Sequence, residues 1–301
     1  MKTILFRPVS MVLALAIAAA VPGIAQAAGK SAVSQAANPS DAATMTVRAL
    51  DLLSKARTGA ARVEAVRLLA VAAGLGQPEA LFALGTLHAR GAVVKQDSAK
   101  AVALYGEAMK RGNVKAMNAL ALHRLRGDGT RKDAAGAAAL LQRASDAGLA
   151  VATSNLAQLY FSGIGVRKDP KRGMALLEKA AATAEPASLH ELAVALVDGK
   201  HVAKEPVRAA ALLQQAADAG FAKSQYSLAI LKVRGEGVQR DPVDALKWLM
   251  IAASSATGAT KVEIQKAANA LGKQLGPEAV STAGEAAGLW MTRSNLRQAR
   301  R

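Results

Sequence analysis

The apolar positions of the chain recur every 36 residues. Leucine stands at Leu84, Leu120, Leu156, Leu192 and Leu228, each followed by a small residue: Gly85, Ala121, Ala157, Ala193 and Ala229. A second series runs Leu104, Leu140, Leu176, Leu212 and Trp248, and a third Ala108, Ala144, Ala180, Ala216 and Ala252. From Ala80 through Leu84 and Leu87 the apolar spacing is three and four, which predicts one face of a helix about three turns long. Ala101, Leu104, Tyr105 and Ala108 predict a second helix in the same way. The polar punctuation keeps the period. Gly91, Gly127, Gly163, Gly199 and Gly235 end the first helix, because a glycine just past the last turn accepts the left-handed conformation. Six residues later Asp97, Asp133, Asp169, Glu205 and Asp241 supply the cap of the second helix, and Pro170, Pro206 and Pro242 follow at a first helical position.

A recurring phrase therefore has a structural reading. Gly-Ile-Gly-Val at 163–166 and Gly-Glu-Gly-Val at 235–238, each with an Asp-Pro two residues on, join the two helices of a hairpin. A phosphate loop needs its free N–H groups at a helix start, with a Lys-Ser/Thr pair following. Here an acid already occupies that cap. The second helix of each hairpin is expected to end at Gly112, Gly148 or Gly220; Ala184 and Ala256 stand in that place in the other two units, so those corners should differ locally.

One such hairpin cannot bury its apolar face alone, so neighbours must stack. The expected fold is all-α, a right-handed superhelical α-solenoid of helix-turn-helix repeats. Five units cover 77–256. A divergent hairpin over 44–76 precedes them, with Ala65, Leu68, Leu69, Ala72 and Gly76 in the register of a second helix. Capping helices are expected at Val262–Leu275 and Pro277–Arg293 within 257–293, with Trp290 packing as a lid under the end of the stack. The stretch 28–43, rich in Ala, Ser, Asn and Pro, reads as a flexible leader. The stretch 294–301 reads as a basic tail, either a disordered arm or a frayed end.

The pattern resembles the Sel-one-like repeat family, relatives of the tetratricopeptide repeat. The resemblance is carried in the first unit by Ala80, Leu84-Gly85, Gly91, Val94, Asp97, Lys100-Ala101, Tyr105, Ala108 and Gly112, and in the third by Leu156, Tyr160, the 163–166 phrase, Asp169 and Ala180. Two departures, His123 where the family has an aliphatic residue and Gly173 at an alanine place, are expected to loosen their units without ending the repeat. The resemblance implies binding of partners in a concave groove and roles in assembling or regulating envelope machinery, such as polysaccharide export.

Composition adds an address. Residues 1–27 read as a cleavable signal: a basic start, an apolar run from Val9 to about Ala20, and Ala25-Gln26-Ala27 as the peptidase site. The run is shorter than the roughly 20 apolar residues of a membrane span, and Pro22-Gly23 interrupts it, so no stable anchor is expected after cleavage. The chain has no cysteine, hence neither a disulfide framework nor a lipid-modifiable thiol. A periplasmic protein is the expectation. Net charge is +17, or +15 once Lys2 and Arg7 leave with the signal. That field favours acidic partners, including acidic polysaccharide. Nucleic acid is not expected, because only 3% of residues are aromatic and few stacking platforms exist.

Chemistry is sparse. No serine has lysine three residues on, and there is no Gly-x-Ser-x-Gly. His190-Glu191 begins a zinc-protease motif, but Val194 stands where its second histidine belongs. No catalytic, cofactor or metal residue is assigned, and a non-enzymatic protein is expected. What remains is a surface. Places two, five, nine, twelve and thirteen of each unit form one face of the first helix, opposite the packed stripe. The fifth-place series is Phe82, Asn118, Ser154, His190 and Tyr226. Beside it fall Lys115 and Lys223, then Gln158, then Arg90, Arg126 and Arg234. These varied, mainly basic residues are the candidate partner-binding set, with Phe82 and Tyr226 as anchors. Binding of an acidic envelope polymer through the overall charge is the alternative, and a cell-wall or β-lactam hydrolase whose site assembles from distant repeats is a third reading.

Overall fold

The structure is a computed structural model and describes residues 39–55, 58–91 and 93–299. The signal and most of the leader lie outside the described residues, as do Arg300 and Arg301. All regular structure among the described residues is helical, and consecutive helices pack as hairpins. Two compact units, divided at Leu149/Ala150, are described in turn.

The first unit contains α1 (Pro39–Lys55), α2 (Gly59–Gly74), α3 (Pro78–Arg90), α4 (Ser98–Lys110), α5 (Val114–Arg126) and α6 (Ala134–Asp146). Helix α1 starts at Pro39, so the end of the expected leader is helical instead. The first hairpin is α1 and α2, and its buried stripe includes Ala65, Leu68, Leu69 and Ala72. The second unit contains α7 (Ala150–Ser162), α8 (Pro170–Ala181), α9 (Pro186–Asp198), α10 (Pro206–Asp218), α11 (Ala222–Arg234), α12 (Pro242–Ser255), α13 (Gly258–Leu275) and α14 (Pro277–Ala299). Helix α14 runs six residues past Arg293, so the tail through Ala299 is helical.

Each glycine of the phrase has its own task. Gly235 caps α11 at φ 69°, and its N–H donates to the Leu231 carbonyl; Gly91, Gly127 and Gly199 do the same for α3, α5 and α9. Gly237, also left-handed, presses its backbone onto the start of α10: a methyl group there would collide with the Pro206 carbonyl and lie 2.7 Å from Val207 N. Gly129 makes the equivalent approach to Ser98 and Ala99 in the first unit. The second glycine therefore docks one hairpin's turn onto the previous hairpin.

The acids cap as expected at four places. A side-chain oxygen of Asp97, Asp133, Asp169 or Asp241 accepts from the N–H three residues on, at 2.8–3.0 Å. Glu205 is the exception. Its side chain makes no cap bond and turns instead to Arg208 at 3.6 Å, because the extra methylene carries its carboxylate past the helix start. The two alanine corners do differ. Ala184 is the only non-glycine among the described residues with positive φ, at 56°, and takes the conformation glycine holds elsewhere. Ala256 is extended at φ −69°, ψ 155°, and turns the chain out of the repeat register into α13.

The two departures tighten their units. A methyl group at Gly173 would lie 2.7 Å from the Phe161 ring, so glycine makes room for that aromatic. His123 is buried, donates from Nδ1 to the Asp128 carbonyl at 2.9 Å, and packs its ring 5.6 Å from that of Tyr105. Trp290 meets the buried Trp248 edge-on at 5.7 Å, the expected closing contact of the stack.

Candidate partner-binding face

In the first unit the candidate residues come from α3 and α5. Arg90, Lys115 and Arg126 are exposed, and Asn118 is half-buried. Phe82 is not a free-standing anchor: its ring lies 5.7 Å from that of Tyr105 on α4, which in turn meets His123. Tyr105 donates through its hydroxyl to Thr86 Oγ1 at 3.3 Å, and Thr86 donates to the Phe82 carbonyl at 3.0 Å. Burial pushes the Tyr105 phenol up. The row of rings thus crosses from hairpin to hairpin and leaves Phe82 half-buried.

In the second unit the candidates come from α7, α9 and α11. Gln158, Lys223 and Arg234 are exposed, and His190 and Tyr226 are half-buried. His190 Nδ1 and Ser224 Oγ share a hydrogen bond of 3.0 Å, and Phe221 meets the imidazole edge-on at 5.5 Å. Burial, with the Lys223 ammonium close by, pushes the imidazole down to about 4, so His190 is neutral and offers polarity without charge. Tyr226 donates to Glu263 Oε1 of α13 at 3.4 Å, and burial followed by that carboxylate raises its phenol.

Ser154 corrects the sequence reading. It is 7% exposed and its hydroxyl is buried without a partner, so it belongs to the interior. Helix α7 buries eight residues around its circumference, and its short Ala, Thr and Ser side chains let packing close over the face expected to be open. Phe161, at the twelfth place, is interior too and stacks on His201 with centroids 4.7 Å apart and planes 9° apart. His201 replaces the second glycine of its turn, so a ring stack stands where Gly237 makes a backbone approach.

A pairing missed in the sequence runs, in two repeats of the second unit, between the eleventh place on the first helix and the twenty-third place on the second. Arg172 lies over the Tyr160 ring at 4.6 Å, and Lys232 pairs with Asp244 at 2.9 Å. Asp244 also takes Lys247, so two ammonium groups share one carboxylate. Burial pushes the Asp244 carboxyl up, but its hydrogen bonds to Lys247 and Lys232 outweigh that and hold it low. A 12-residue offset across a turn carries no periodicity signal, though the repeat register could have exposed it.

Among the described residues no group of His, Asp and Glu is placed to hold a metal ion, and no helix is long and apolar enough to cross a membrane.

Stacked hairpins with glycine-capped turns define an α-solenoid repeat protein. A sequence model of the Sel1 repeat matches residues 78–113, 114–149, 150–182, 186–221 and 222–256. The chain belongs to the Sel1 repeat family, whose repeats are scaffolds suited to protein–protein interaction. The third match stops at 182, where α8 ends short and Ala184 replaces glycine. Two of the similar solved structures bear on the fold. A protective antigen from uropathogenic Escherichia coli with an SLR fold is 24% identical with a TM-score of 0.54, over 87% of this chain and 54% of the antigen, so the chain spans about half the antigen's length. A Sel1 repeat protein from Oxalobacter formigenes is 24% identical with a TM-score of 0.53, over 80% of this chain and 98% of its own. At this identity the likeness bears on the fold alone. No curated protein matches the sequence.

Proposed function

We propose that the protein is an exported, non-enzymatic adaptor that holds a peptide or a protein domain of an envelope partner on the first-helix face of its repeats. The observation that carries this reading is the contrast between faces. One side of the first helices is spent on a near-uniform Ala and Leu core, while the other presents Arg90, Lys115 and Arg126 in the first unit and Gln158, Lys223, Arg234 and Tyr226 in the second. The arginines suit carboxylates, which they grip through two parallel N–H bonds, and the half-buried rings of Tyr226 and Phe82 supply apolar contact. Solenoids use such a face because equivalent side chains of successive repeats line up along it. The test is affinity capture from a periplasmic extract with the wild-type protein and with an Arg90→Ala/Arg126→Ala/Arg234→Ala variant. A saturable partner that the variant recovers at least tenfold less supports the reading; equal recovery dismisses the face.

A second reading, binding of a linear acidic polysaccharide, rests on the turns. The residues before the capping acids of the last four repeats are Lys132, Lys168, Lys204 and Arg240. Their stems lie over the left-handed glycine of their own turn: a methyl group added at Gly127, Gly163 or Gly235 would come within 3.2–3.3 Å of the Cβ of Lys132, Lys168 or Arg240, and one at Gly199 would strike the Lys204 stem. Binding of this kind weakens steeply with salt and tolerates different polymers, whereas a groove partner is selective at physiological salt.

A further inference from the structure

Residues of α10, α12 and α14 line a half-open cavity of about 430 Å³ that uses none of the first-helix face. Its volume falls in the range of small-ligand sites, roughly 300–1,000 Å³. Asp218 from the end of α10, Lys247 from α12, and Leu289, Trp290 and Arg293 from α14 line it. Trp290 forms one wall, held edge-on against the buried Trp248, and Leu289 beside it is 62% exposed, an apolar surface without a covering partner.

The charges of this cavity do not balance. Lys232 and Lys247, with side chains 14% and 18% exposed, share the single carboxylate of Asp244, which leaves one positive charge in a poorly solvated place. Arg293 adds a second, with no ion pair among the described residues. Asp218 removes one; its carboxylate accepts from Gln214 Nε2 at 3.1 Å and has further acceptor capacity. The cavity thus carries a net excess of one positive charge beside an apolar wall and one hydrogen-bond acceptor.

We infer that this cavity is a binding site for the C-terminal residue of a peptide chain that ends in an apolar side chain. The terminal carboxylate lies between Lys247 and Arg293, the last amide N–H donates to Asp218, and the side chain packs on Trp290 and Leu289. Each alternative leaves something unmet. A fully ionised phosphate brings more negative charge than the excess and no donor for Asp218, and a fatty acid supplies carboxylate and tail but no donor either.

The chain has two tryptophans: Trp290 lines this site and the buried Trp248 packs edge-on against it, so tryptophan fluorescence reports on the site. The signal-free protein is titrated with acetyl-Ala-Ala-Leu as the free acid, with the same peptide as its C-terminal amide, and with decanoate. The inference predicts a saturable tryptophan shift with the free acid. Binding should be at least tenfold weaker for the amide and for decanoate, and at least tenfold weaker for the free acid in Arg293→Gln. Arg293 is exposed and circular dichroism of the variant should match the wild type, so loss of binding there is not loss of fold. No saturable shift with the free acid overturns the inference. So does an amide or a decanoate that binds as tightly as the acid, or an Arg293→Gln protein that binds unchanged.

Discussion

Replacing Gly237 by alanine separates the two tasks of glycine in the hairpin turns. At Gly112 the backbone is left-handed, φ 86°, and a methyl group would meet nothing within 4 Å, so Gly112→Ala incurs only the left-handed penalty of about 1–2 kcal/mol. At Gly237, φ 69°, the same penalty applies, and the methyl group also strikes the Pro206 carbonyl and comes within 2.7 Å of Val207 N. Those atoms begin α10, whose Ala209, Leu213 and Ala216 are fully buried, so neither side can yield without shifting a hairpin. Overpacking of this kind adds about 1–3 kcal/mol, for a total of about 2–5 kcal/mol. The assay is urea unfolding of the whole chain, followed by far-UV circular dichroism. Stacked repeats need not unfold in one step, so midpoints are compared transition by transition. If Gly237→Ala shifts its midpoint no further than Gly112→Ala, the second glycine does not dock the turns and the reasoning fails. Gly106, in the middle of α4 with nothing within 4 Å, is the opposite control: Gly106→Ala should stabilise by about 0.5–1 kcal/mol.

Three further substitutions have expected outcomes. Ala184→Gly should relieve the one left-handed alanine and raise stability by about 1 kcal/mol, read as a higher unfolding midpoint. Asp169→Ala should cost about 1 kcal/mol through loss of the bond to Arg172 N, whereas Glu205→Ala, which removes no cap bond, should stay within about 0.5 kcal/mol. His190 carries a pH signature. Folded at about 4 and unfolded near 6.5, it binds more protons in the unfolded chain between those values. Stability is therefore full above about pH 6.5 and falls by up to about 3 kcal/mol as pH drops to about 4, a loss that His190→Gln should abolish in melts across that range.

Much of this fold was legible because its repeat is strict. The 36-residue register located the hairpins, the glycine and aspartate ends and the odd corners at Ala184 and Ala256, since each of these depends on backbone geometry that a single residue type satisfies. What escaped depends on neighbours. Gly173 read as a weak point because the sequence does not show Phe161 filling the space beside it, and Ser154 read as surface because helical periodicity marks a face without saying whether packing closes over it. Glu205 read as a cap because its charge is right; its length is not. The leader and tail read as loose by composition alone, yet Pro39–Lys55 and the end of α14 are helical. The charge excess at Lys232, Asp244 and Lys247 was missed because its members lie 12 and 15 residues apart on two helices, an offset that only the repeat register, not helical periodicity, could have exposed.

Site-specific photo-crosslinking in cells tests the central claim, that the first-helix face is where the partner is held. A photoreactive residue is placed at Gln158 or Tyr226 on that face, and at Gln215 on the exposed side of α10 as the contrasting position. The account predicts a discrete, reproducible adduct from both first-helix positions and none from Gln215. Adducts of equal yield from all three, or from Gln215 alone, would contradict it.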